Sequence, residues 1–144
     1  MPSVPSQRAV ATPSDDIGKL VLRLAVGVLM LLHGIFKIGS GVGGIAGMLQ
    51  GAGLPAFLAY GVYVGEVLAP LLLIIGAWTR LAAVVIAVNM VVAIALAHAS
   101  QLMSLTPQGG WALELQGLYL FGAIAIALLG AGGLSVAGAN GRCN

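Results

Sequence analysis

The chain has 144 residues, of which 60% are hydrophobic and 7% charged, with a formal net charge of +2. Soluble domains carry about 25% charged residues, so too little charge is present to cover a water-facing surface. With no basic cluster a nucleic-acid partner is excluded. The single cysteine, Cys143, excludes an intramolecular disulfide and a CxxC redox pair.

Residues 1–16 hold Pro2, Pro5, Pro13, Ser14, Asp15 and Asp16 and read as a flexible polar tail rather than a signal peptide. Asp15 and Asp16 stand where N-terminal helix caps are expected. A membrane-spanning helix needs roughly 20 apolar residues, and four segments approach that length. The first runs from Ile17 to Ile38. A Gly-rich stretch, 39–55, follows; its Ile45, Met48 and Leu49 suit a short interfacial helix or a re-entrant segment, stopped by Gly53-Leu54-Pro55. The second span runs from Ala56 to Ala77, the third from Leu81 to His98, with Thr79 as its cap, and the fourth from Ala112 to Leu129. A polar loop, 100–110, separates the last two. The predicted fold is an all-α integral membrane four-helix bundle covering 17–136, with a short tail over 137–144. Arg8, Lys19, Arg23, Arg80 and Arg142 fall on one side and only Lys37 on the other, which predicts cytoplasmic N- and C-termini. Trp78 and Trp111 fall at helix ends, where an aromatic belt is expected.

The ionisable residues within these apolar runs carry the functional information. Each costs about 2.5–3.5 kcal/mol at a helix centre and therefore needs a partner or a cavity. They are Arg23, His33 and Lys37 on the first helix, Glu66 on the second, His98 on the third and Glu114 on the fourth. On a helical projection Arg23, His33 and Lys37 lie within about 80° of one another. Gly27, Met30 and Gly34 share that stripe, which should face other helices. His33, Lys37, His98 and Glu114 lie near the outer helix ends, and Glu66 near mid-membrane, so they are able to converge on one polar pocket. Pro70 cannot donate to the carbonyl of Glu66, four residues earlier. That free carbonyl, the Glu66 carboxylate and Tyr63 share a face suited to a polar group or a quinone headgroup, and Tyr60 and Tyr119 are further stacking candidates.

Two readings of Glu66 stand side by side: a structural ion pair with Arg23, Lys37 or a histidine, or a ligand- and proton-handling group. His33 and His98 are read first as packed, hydrogen-bonded histidines; a bis-histidine haem is the weaker alternative, and no metal site is expected. Arg80 reads as a topology anchor. Asn89 reads as an interhelix hydrogen bond.

Several stretches together resemble the DoxX family of small four-helix bacterial membrane proteins. They are Arg23 followed by HGIFK (33–37), GLP (53–55), Glu66 leading to GAWTR (76–80), His98, the Gly109-Gly110 pair before Glu114, and LLGAGGLS (128–135). Gly133 and the 136–138 stretch depart from the family's usual closing Arg and Asp. The resemblance implies an inner-membrane, oxidoreductase-associated subunit working with other membrane redox proteins or as a homo-oligomer. A non-enzymatic scaffold or assembly partner is the alternative.

Overall fold

The computed structural model describes residues 12–138, 141, 143 and 144. Arg8, Arg142 and the greater part of the predicted N-terminal tail lie outside the described residues.

Helix α1 (Pro13–Ser40) starts at a capping box. The backbone N–H of Asp15 donates to the Thr12 hydroxyl at 3.4 Å, and the Thr12 N–H donates to the Asp15 carboxylate at 3.0 Å. The cap is thus Thr12, and Asp15 and Asp16 occupy the first turn, where the helix dipole favours them. The helix ends at Gly41, whose φ of +79° suits glycine. Its buried stripe is Arg23, Val26, Gly27, Met30 and Gly34, the face expected from the helical projection. Helix α2 (Gly43–Gly51) is the short element expected in the Gly-rich stretch, and it buries Leu49.

Helix α3 (Ala56–Ile75) is irregular along its length. It opens with a tight 3-10 stretch (Ala56–Tyr60), relaxes into one α turn (Gly61–Tyr63), widens into a π turn (Val64–Leu68) and closes as α (Ala69–Ile75). Gly76 ends it in the left-handed conformation (φ +74°), donating to the Leu72 carbonyl at 3.0 Å. Helix α4 (Thr79–Ala97) follows after a three-residue turn, Gly76 to Trp78. Thr79 does not cap it as expected. Its hydroxyl donates instead to the side-chain oxygen of Asn144 at 2.7 Å. Helix α5 (Glu114–Leu129) begins two residues later than expected, after a loop held by Trp111, whose indole N–H donates to the Leu102 carbonyl at 2.8 Å.

Helices α1, α3 and α4 are long and apolar enough to cross a membrane. Helix α5 has 16 residues, a length of about 24 Å, shorter than the roughly 30 Å hydrocarbon layer. Met30, Leu73, Ala83, Ile86, Ala123 and Ile126 fill the core between these four helices. Outside it, Phe36, Leu118, Leu128 and many other large apolar side chains are exposed. An apolar surface that extensive belongs in lipid.

The described residues beyond Gly130 are packed against the helix ends. Val136 N–H donates to the Ile75 carbonyl at 3.1 Å, Gly133 N–H donates to the Asp16 carboxylate at 2.8 Å, and Asn144 is buried. The described part of 137–144 is therefore docked structure where a short tail was expected.

Candidate functional site

The site begins with a backbone defect. Pro70 has no N–H to offer the Glu66 carbonyl, and the helix accommodates the missing bond by widening. The Ala69 N–H donates to Val64, five residues back. Such π turns concentrate at functional positions. This one carries Glu66, which is 3% exposed.

Two glycines bring the neighbouring helices onto it. A Cβ at Gly34 of α1 would lie 2.6 Å from the Glu66 carbonyl carbon and closer still to its oxygen. The released carbonyl is therefore covered by α1 backbone and is not open to a ligand. A Cβ at Gly65 of α3 would lie 2.5 Å from Asn89 Cγ on α4. Close approach at these points is what glycine permits.

The consequences follow from helix spacing. Lys37 lies one turn beyond Gly34, on the same face, and its Nζ forms an ion pair with Glu66 Oε2. Asn89 Nδ2 donates to Glu66 Oε1 at 3.3 Å. The Tyr63 hydroxyl donates to the Lys37 carbonyl at 3.1 Å, fastening α3 to the end of α1. The pair is graded in exposure: the Lys37 side chain is 28% exposed and that of Glu66 4%. Lysine reaches toward the surface on its alkyl stem while the carboxylate stays inside.

Aromatic rings flank this cluster. His33, one turn before Lys37 and exposed, meets the buried Tyr119 edge to face at 5.8 Å. Tyr60 and Tyr63 lie 6.2 Å apart, tilted by 48°.

The other expected members are elsewhere. His98 is held by Gln101 Oε1 at 3.2 Å and by Gln116 Nε2 at 3.3 Å, a network at the α4–α5 end. Glu114 is exposed and lines a groove of about 280 Å³ with Trp111, Gly117, Leu118 and Phe121. Among the described residues no hydrogen bond joins His98 or Glu114 to Glu66, so the polar groups form separate clusters. Arg23 is also remote, because it lies 14 residues, or about 21 Å, from Lys37 along α1. It does not balance Glu66. Its Nη1 donates to the Leu73 carbonyl at 3.2 Å and its Nη2 to the Leu134 carbonyl at 2.6 Å. Arg80 lies at that same end, with its Nη1 on the Ala127 and Leu128 carbonyls.

Asn89 enters the site as a direct partner of Glu66. Its polarity within an apolar helix signalled an interhelix bond, but sequence gave no means of choosing the acceptor. Gln116 was missed, although an amide in the first turn of one helix, facing a neighbour that ends in a histidine, was the available signal. Among the described residues no three His, Cys, Asp or Glu side chains gather to hold a metal ion.

Comparison with known proteins adds three findings. The DoxX family model matches residues 18–99, more than half of the chain. The match takes in the quoted motifs up to His98, whereas the 109–135 stretch lies beyond it. A curated protein of Bacillus subtilis (strain 168), named "Putative oxidoreductase CatD", is 33% identical over 81 residues. That alignment covers 56% of this chain and 60% of the relative, so the chain spans less than two thirds of the relative's length. No solved structure matches the chain.

Proposed function

The chain belongs to the DoxX family, and from that premise we propose that its Lys37–Glu66 pair binds a quinone-type molecule or exchanges protons with it. The protein is a multi-pass inner-membrane protein with a general link to redox-associated relatives. The proposal places it as a subunit of a redox system, with electrons supplied by a partner protein and protons handled by this chain. One observation carries the reading. A carboxylate 3% exposed among apolar helices sits on a π turn, paired with a lysine that reaches toward the surface. Ion-pair partners within a membrane mark pathways for protons and substrates. A quinone oxygen that displaced Lys37 or Asn89 from the carboxylate would receive a hydrogen bond from the group displaced. His33 with Tyr119, and Tyr60 with Tyr63, are proposed to flank the ring. His98 with Gln116, and Glu114, form a second polar zone in this reading and act on the outer side. The proposed topology has four spans over 17–136 with both termini cytoplasmic. Lys19, Arg23 and Arg80 at one end against Lys37 at the other support it.

A second reading, a non-enzymatic scaffold, is favoured by a different observation: both Glu66 carboxylate oxygens already have partners. Titrating the purified protein with a quinone analogue separates the two. The redox reading expects saturable binding that weakens about tenfold in Glu66→Gln, the scale of one charged hydrogen bond. The scaffold reading expects no binding by wild type or variant, so that Glu66→Gln changes stability alone.

A further inference from the structure

Helices α4 and α5 run antiparallel and leave a groove of about 410 Å³ on the outer surface of the bundle. Val84, Val88 and Val92 line it from α4, and Leu120, Ile124 and Leu128 from α5. The α4 residues recur every four positions, so they form one stripe on that helix. Arg80 is the next position of the same stripe, one turn before Val84.

Arg80 lies beside one end of the groove, bonded to the carbonyls of two of its lining residues, Ala127 and Leu128. Its Nη1 donates to the Ala127 and Leu128 carbonyls at 2.7 and 2.9 Å, the last turn of α5, and its Nε donates to the Asn144 backbone oxygen at 2.9 Å. The side chain is exposed, no described carboxylate side chain pairs with it, and Nη2 has no hydrogen-bond partner among the described residues. Trp78, two residues earlier, is 58% exposed. An exposed tryptophan at a helix end sits at headgroup depth, which puts Arg80 at the same level.

Length identifies the occupant. From Val84 to Val92 the groove runs about 12 Å, and from Arg80 to Val92 about 18 Å. One leaflet of the hydrocarbon layer is about 15 Å deep. A spanning helix, from a second copy or another protein, would need a seam about twice as long. The groove thus ends where a lipid tail ends, and the Arg80 guanidinium beside that end is positive.

We propose that this groove holds one acyl chain of an anionic phospholipid whose phosphate lies against Arg80 Nη2. The apolar stripe gives the chain its seat, and the guanidinium, an apt shape for phosphate oxygens, selects the headgroup. The inference is independent of the Lys37–Glu66 cluster, which lies toward the other end of the bundle.

The test uses the full chain, purified in detergent and mixed with phosphatidylglycerol and phosphatidylcholine of identical acyl chains. Native mass spectrometry reads the lipid retained. Wild type should retain phosphatidylglycerol roughly fivefold over phosphatidylcholine, the effect of one basic group near an anionic surface. Arg80→Gln should bring that ratio to about one, and Arg80→Lys should keep part of the preference. Val88→Trp, which fills the groove, should lower retention of both lipids. Should Arg80→Gln not fold, Val88→Trp and Arg80→Lys decide. Equal retention by wild type overturns the proposal, as does a preference that survives Arg80→Gln or full retention by Val88→Trp. Efficient disulfide dimers of Val88→Cys in lipid also overturn it, because a second copy would then fill the groove.

Discussion

At one end of the bundle Lys37 and Glu66 neutralise each other through side chains, with Asn89 completing the carboxylate. At the other end Arg23 and Arg80 rest on backbone carbonyls of Leu73, Leu134, Ala127 and Leu128, and no described Asp or Glu side chain pairs with either. Both arrangements keep charge inside or against apolar helices, yet they differ in what can change. A guanidinium stays protonated in proteins, and carbonyls of helix ends are fixed in place. Arg23 therefore acts as a fastener, tying α1 to α3 and to the chain beyond Gly130. Lysine and glutamate both exchange protons, and here they are joined by flexible stems of unequal exposure. The difference suits the arginine end to stability and the Lys37–Glu66 end to the proposed chemistry.

Breaking the arginine end should give the largest loss. Arg23→Ala removes the guanidinium donor from the Leu73 and Leu134 carbonyls, the former keeping the Gly76 N–H, and opens a cavity where a 1% exposed side chain stood. We expect it to cost about 4 kcal/mol, read by denaturant titration in mixed micelles. Gly34→Ala attacks the other end through its backbone. The added methyl meets the Glu66 carbonyl and Val67, so α1 must withdraw, at about 3 kcal/mol. Thermal unfolding checks the cost, and quinone-analogue titration checks the accompanying loss of binding.

The graded exposure of the ion pair predicts an asymmetry between its halves. Lys37→Met strands a carboxylate in the interior and should cost about 2.5 kcal/mol. Glu66→Gln leaves a lysine able to swing out to the interface, which should cost about 1 kcal/mol. Equal losses in the same unfolding assay would show that the pair is not graded. The smallest effect is expected from Asn89→Leu, about 0.6 kcal/mol, the mean for an interhelix hydrogen bond in a membrane. A paired comparison with Asn89→Leu in a Glu66→Leu background isolates that bond, since each variant removes it and the two effects should not add.

Much of the frame was legible because lipid imposes it. Apolar runs marked α1, α3 and α4, and the α1 stripe of Gly27, Met30 and Gly34 marked the face that packs. Pro70 marked the irregular turn at Glu66, since a missing donor four residues on is visible in sequence. What covers the freed carbonyl was not, because Gly34 is assigned to it only by the relative height of two helices. The same ignorance of height left Arg23, Lys37 and the histidines as equal partners for Glu66, and it allowed His98 and Glu114 to be drawn into one pocket. The segment beyond Gly130 was illegible for another reason. It has no helical period, and it is held by glycine turns at Gly130, Gly132 and Gly138 and by isolated bonds to Asp16, Ile75 and Thr79.

Infrared difference spectroscopy of the purified protein, with and without a quinone analogue, tests the assignment of chemistry to the Lys37–Glu66 end most directly. The carboxyl band reports hydrogen bonding and protonation of buried acids, and Glu66 is the buried acid among the described residues. The account predicts a carboxyl difference band on binding that disappears in Glu66→Gln and persists in Glu114→Gln. A band that persists in Glu66→Gln, or no band despite saturable binding, would contradict it.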